Sequence, residues 1–134
     1  MRPIINVSVG IIILFALFSF KYTENCTVEY KGIYAFKIDE EHSAVLRFYE
    51  DGIVLASSSI NDYFDVFTWF HKENKTRVLS GKYKIKKCKI SFDVSGETGK
   101  QSYEGEIKGN TIELKLTDKA TKKSTTRNYT FFAL

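Results

Sequence analysis

The chain has 134 residues but only two cysteines, two histidines, one proline, one methionine and one tryptophan. Each scarcity excludes something. Cys26 and Cys88 stand far apart and neither belongs to a Cys-x-x-Cys pair, so a zinc site or a dithiol redox motif has no ligand set to build on. His42 and His71 lie outside any recognisable motif, and a hydrolase or transferase must bring a nucleophile, a base and an orienting group together. No catalytic residue, metal or cofactor is therefore assigned, and the expectation is a protein that is not an enzyme. Ser57-Ser58-Ser59 reads as the entry loop of a helix, not as a nucleophile. Charge of one sign is also in short supply. The net charge is +4, and residues 1–20 contain one of the cations, Arg2, which leaves +3 on the remainder. That excess is too small to argue for a nucleic-acid partner. The basic residues moreover alternate with apolar ones, as in Lys82-Tyr83-Lys84-Ile85, which is the pattern of the wet face of a strand.

What the chain does have begins with an uncharged stretch from Ile4 to Phe20, preceded by Arg2 and followed by Lys21. Residues 11–18 are apolar all round, whereas a helix lying on a small β domain would show a single apolar stripe. The layout is that of an export signal forming an apolar helix. Ala16-Leu17-Phe18 and Ser19-Phe20-Lys21 lack the small-x-small pattern of a cleavage site, so residues 4–20 can equally remain as a membrane anchor, at the short end of the ~17–25 residues that span a bilayer. Residues 1–22 are read as signal peptide or anchor, and residues 27–134 as one domain outside the cytoplasm, periplasmic, secreted or anchored. Thr23-Glu24-Asn25 before Cys26 is not a lipobox.

Eight Tyr and eleven Phe favour strands, where flat rings pack across a pleated surface. From Tyr30 to Ile38 alternate positions are apolar or glycine, and Asp39-Glu40-Glu41 ends the run; Ala44, Leu46 and Phe48 form one face of a second strand. Glu50-Asp51-Gly52 makes a tight reversal into a third strand, Ile53 to Ser57. The period then becomes helical: Tyr63, Phe64, Phe67 and Phe70 predict a helix of about three turns, N-capped by Ser59 or Asn61. Two later stretches match as hairpins. Residues Ile85 to Phe92 align with Ile107 to Leu114, which places Cys88 opposite Asn110 in the turns. With the turn Val94 to Gly99 and a last run through Arg127, Tyr129 and Phe131, the count is about eight strands and one helix. The fold class is therefore all-β, an antiparallel meander able to close into a barrel.

This arrangement resembles the calycin superfamily, specifically small bacterial lipocalin-like domains. Gly32-Ile33-Tyr34 resembles the lipocalin Gly-x-Trp motif with Tyr in place of Trp, and Arg127 resembles the last-strand Arg that packs across that ring. The resemblance implies a closed barrel in which Tyr34 and Arg127 stack and the interior holds a ligand. The inward positions that would line such a cavity are Tyr34, Phe36, Phe48, Leu55, Tyr83, Phe92, Tyr103, Leu114 and Arg127. The aromatic helix, through Phe67, would then act as a lid, or else as a plug over one end.

Cys26 and Cys88 fit a disulfide tying the post-signal segment to a hairpin turn; two free thiols or an intermolecular bridge are the alternative. Asn25, Asn74 and Asn128 begin N-glycosylation sequons that matter only in a eukaryote. Two functions remain: a binding module for a small apolar molecule, or a filled-core interaction domain of inhibitor or immunity type acting on a protein partner.

Overall fold

The computed structural model describes residues 26–60 and 63–133, so the apolar segment 4–20 and the proposed cap Asn61 lie outside the described residues. Eight strands follow one another around a closed antiparallel barrel. They are β1 (Gly32–Lys37), β2 (His42–Phe48), β3 (Ile53–Ile60), β4 (Leu79–Lys86), β5 (Lys89–Gly96), β6 (Gly99–Lys108), β7 (Thr111–Asp118) and β8 (Ser124–Ala133). A helix, α1 (Tyr63–Trp69), interrupts the meander after β3. Closure comes from β1 pairing with β8, with Tyr34 opposite Phe131.

The reversals explain themselves locally. Gly52 and Gly109 take positive φ values of 89° and 64°, where a side chain would be strained. The two hairpins matched in sequence are both present: Lys86 pairs with Lys89 around Lys87-Cys88, and Lys108 pairs with Thr111 around Gly109-Asn110. Gly81 and Gly105 serve a different need. Both occupy inward positions where a Cβ would collide with a neighbouring strand's carbonyl oxygen, of Asp93 and Glu113 respectively, so glycine lets these strands approach and bend.

Along β4 to β7 the pattern is a simple alternation. Ile90, Phe92, Val94, Tyr103, Ile107, Ile112, Leu114 and Leu116 are buried in the barrel, while Lys84, Lys86, Glu104, Glu106, Glu113 and Lys115 face water. The strands β1 to β3 differ because both of their faces are apolar. Tyr34, Leu46, Phe48, Val54 and Ala56 point into the barrel. Ile33, Ala35, Val45 and Leu55 point outward and are buried beneath Val66, Phe70 and Val78. The helix therefore packs on the outside wall of the barrel.

Three expectations are corrected here. The helix has seven residues, about two turns, because Phe70 and the connection after it leave the helical path. Its terminal carbonyls are satisfied from elsewhere: Arg47 Nη1 donates to the Phe70 oxygen at 2.8 Å and Asn74 Nδ2 to the Trp69 oxygen at 2.9 Å. Ser57-Ser58-Ser59 is not an entry loop; these residues extend β3, opposite Val45, Ala44 and Ser43, which removes Ser59 as a cap. A hydroxyl suits the strand at Ser57 because it reaches the rim of the barrel, where Ser57 Oγ donates to the Arg77 carbonyl oxygen at 2.7 Å.

One end of the barrel is plugged by the chain that leads into β1. Val28 is buried in the core, and the Glu29 amide donates to the Tyr34 hydroxyl at 2.9 Å. A disulfide joins Cys26 to Cys88 in the β4–β5 turn, with Cα atoms 4.9 Å apart. Of the two readings of the cysteines, the intramolecular bond is the one found. It closes a loop of 62 residues, so replacing both cysteines by Ala should lower the unfolding free energy by roughly 2–4 kcal/mol. Urea unfolding of the wild type with and without reductant checks this, and an unchanged midpoint would show that Val28 alone holds the plug.

Candidate functional site

The interior is a continuous stack of rings starting at the plugged end. Tyr34 meets Phe48 edge-on at 5.4 Å, and Phe48 meets Tyr83 at 5.1 Å and Phe92 at 5.7 Å. Phe92 then stacks on Tyr103, centroids 4.7 Å apart and planes 17° apart. Edge-on and offset pairs of this kind add to the burial of the rings themselves. Tyr103 is the last ring of the series.

Beyond Tyr103 the barrel is open. At this level β2 and β3 turn small side chains toward the opening, Ala44, Ala56 and Ser58, while the facing strands carry Tyr103 and Arg127. Small side chains on one wall leave a mouth of about 410 Å³, bordered by Ile38, Leu79, Arg77 and Gln101 as well. Ile38, 44% exposed, forms an apolar lip at the end of β1.

Polar groups converge on the same place. Arg127 is half-buried; its Nη1 donates to the Tyr129 hydroxyl at 3.2 Å, and its guanidinium lies 5.6 Å from the centre of the Phe36 ring. The Tyr103 hydroxyl donates to Gln101 Oε1 at 2.8 Å. Burial pushes the phenol of Tyr103 far above its ordinary value near 10, with the neighbouring Tyr129 adding to the effect. Tyr129 is raised as well, by burial, although the Arg127 guanidinium works in the opposite sense. Both hydroxyls are therefore protonated donors throughout the physiological range.

The residues expected to line a cavity fall into three groups. Tyr103 and Arg127 border the mouth, with Phe36 directly behind the guanidinium. Tyr34, Phe48, Tyr83, Phe92 and Leu114 are on the inward face as expected, but they pack against one another as filled core. Leu55 and Phe67 are not inside at all. Leu55 lies one position out of phase with Val54 and Ala56 and is buried under α1, and Phe67 packs against the same outer cluster. A helix on the outer wall cannot act as a lid or a plug, so both readings of α1 are withdrawn.

The Tyr34–Arg127 stack is also revised. The first and last strands are neighbours, but Tyr34 faces Phe131, four residues along β8 from Arg127, a distance of ~13 Å. Tyr34 packs on Phe131 at 5.1 Å, and Arg127 takes Phe36, the next inward ring toward the mouth. The two motif residues are thus on the same side of the sheet at different heights. Ala44, Ala56 and Gln101 were not anticipated as lining residues. The available signal was size at the strand ends: Ala44 and Ala56 are small inward residues near the rim, where nothing larger fills the space.

The geometry defines a closed eight-stranded antiparallel β-barrel, plugged at one end and open at the other, an architecture compatible with a lipocalin-like fold. Compared with protein-family models, with curated proteins and with solved structures, the chain finds no significant match.

Two outcomes test this description. Because burial raises Tyr34, Tyr103 and Tyr129 in the folded state, the fold holds protons that the unfolded chain releases above pH ~10; their contribution to stability is intact below that pH and lost as pH rises toward the folded values. Ultraviolet titration should show Tyr103 un-ionised at pH 11 and ionising only together with alkaline unfolding, and Tyr34 and Tyr129 lagging behind free phenols. A full complement of tyrosinate at pH 11 in protein that is still folded would contradict their placement. Leu55→Ala should cost about 2–5 kcal/mol by opening a hole under α1, and should leave the mouth unaltered.

Proposed function

We propose that the protein is a non-enzymatic binding module working outside the cytoplasm, released or held by residues 4–20, which takes a small, mainly apolar molecule into the open end of its barrel. The observation that carries this reading is the mouth itself. A space of about 410 Å³ has the size of a small-molecule site, and its wall combines Ile38, Ala44, Ala56, Leu79 and Tyr103 with the polar side chains of Ser57, Ser58, Arg77, Thr98, Gln101 and Arg127. The placement outside the cytoplasm draws support from the Cys26–Cys88 disulfide and the apolar segment that precedes it. The filled core beneath the mouth limits the ligand to one that sits at the end of the barrel.

Filling the mouth provides the test. Ala44→Phe and Ala56→Phe each put a ring where the space now lies, and each should weaken binding of an apolar fluorescent reporter such as Nile red by about tenfold or more. Circular dichroism must show both variants folded. Undiminished reporter binding by folded variants would place the reporter elsewhere and end this reading.

The filled core also favours a second reading, a protein–protein interaction domain of inhibitor or immunity type. Tyr30 and Phe132, exposed by 36% and 41% near the plugged end, are the side chains it would use. A stoichiometric partner that copurifies with the wild type and is lost on Tyr30→Ser with Phe132→Ser would support it.

A further inference from the structure

The two hairpins that match in sequence differ in charge. In the β6–β7 hairpin, residues 107–114, the charged side chains are one of each sign, and Lys108 Nζ lies 3.4 Å from Glu113 Oε2. The matching residues 85–92 of the β4–β5 hairpin carry Lys86, Lys87 and Lys89 and no carboxylate. Lys84 precedes them on the same outer face of β4 as Lys86. All four lysines are exposed, and among the described residues none of them forms an ion pair.

This placement works against the fold in two ways. Lys86 is directly opposite Lys89 in the β4–β5 register, where like charges repel. Lys87 takes a positive φ of 59°, at the turn position that Gly109, with φ 64°, occupies in the matching hairpin. A lysine there has a steric cost that glycine lacks. The nearest carboxylate in the register is Glu106, opposite Lys89, and it in turn faces Glu113. A run of cations that the fold resists locally, with nothing inside the molecule to compensate it, points to an anionic partner outside.

The place of the hairpin tip says which partner. Cys88 stands between Lys87 and Lys89 and is bonded to Cys26, and five residues, Lys21 to Asn25, separate Cys26 from the uncharged stretch that ends at Phe20. Fully extended, that connection reaches ~20 Å. At the same pole Tyr30 and Phe132 expose their rings, and Lys31 and Lys108 add two more exposed cations. Rings beside cations suit the headgroup layer of a bilayer. Of the carboxylates at this pole, Asp51 is taken by Lys72 at 2.8 Å, and Glu29 and Glu50 lie outside the hairpin. We infer that the plugged pole rests on an anionic lipid surface, with Lys84, Lys86, Lys87 and Lys89 over the phosphates. The inference goes beyond the reading of the mouth and does not rest on it. With residues 4–20 retained, the tip sets how the tethered barrel stands; with them removed, the lysines are what hold it at the surface.

The experiment follows lysine acetylation by mass spectrometry in the full chain, mixed with vesicles of phosphatidylcholine alone or with phosphatidylglycerol added. Lys86, Lys87 and Lys89 should react about fivefold more slowly, or slower still, on the anionic vesicles, the factor by which one cation is held near such a surface. Lys100 and Lys123, at the mouth end, should react equally on both, and raised NaCl should erase the difference at the tip. Lys31 and Lys108 should share the protection. They should lose it in the combined variant Lys86→Gln, Lys87→Asn, Lys89→Gln and keep it in Lys100→Gln with Lys123→Gln. Equal rates on the two vesicles, or equal protection of both poles, would overturn the inference and leave Nile red binding at the mouth untouched. Protection by a short DNA duplex as strong as that by anionic vesicles would overturn lipid as the partner. Should the combined variant fail to fold, the wild-type comparison and its salt dependence still decide.

Discussion

Pairing of the first strand with the last is the constraint on which everything else rests. Once Tyr34 is held opposite Phe131, the sheet has no free edge, and each strand's inner face must share one enclosed volume. Eight strands enclose a space that side chains can fill, and here they largely do. The ring series from Tyr34 to Tyr103 occupies it from the plugged end upward, and the mouth is what remains when two strands contribute alanine at the last level. The site is thus a remainder of core packing, set by where large side chains stop.

The strand count, the meander and the two matched hairpins could be read from the sequence because their signals are local. Alternation decides strands, and Gly52 and Gly109-Asn110 mark reversals through backbone conformations that few residues adopt. What could not be read is non-local. Leu55 sits in a run, Ile53-Val54-Leu55-Ala56, that is apolar at every position, so periodicity cannot say which face is inward. The answer depends on α1, which buries the outer face of β1 to β3 and makes that run two-sided. The aromatic richness of α1 was visible, but its destination was not, since a helix that caps a barrel and one that lies along its wall need the same apolar stripe. The height of Arg127 along β8 relative to Tyr34 is a matter of register, which the sequence leaves undetermined when both strands alternate cleanly.

The same division holds at the candidate site. Tyr103 and Arg127 were identifiable as inward residues with polar atoms, whereas the space in front of them is created by Ala44 and Ala56 from strands on the opposite wall. A cavity is defined by the side chains that are missing from it. Hydrophobicity draws attention to the largest residues, and those are the ones that fill.

The geometry of the plug has an orientational consequence. Cys26 is held against the β4–β5 turn, and Ala133 pairs with Gly32, so the first and last described residues both lie at the end that Val28 closes. The mouth is at the other pole. Any attachment through residues preceding Cys26 would thus act as a pedestal, lifting the open end outward by the full height of the barrel and turning its Arg127 toward the surrounding medium.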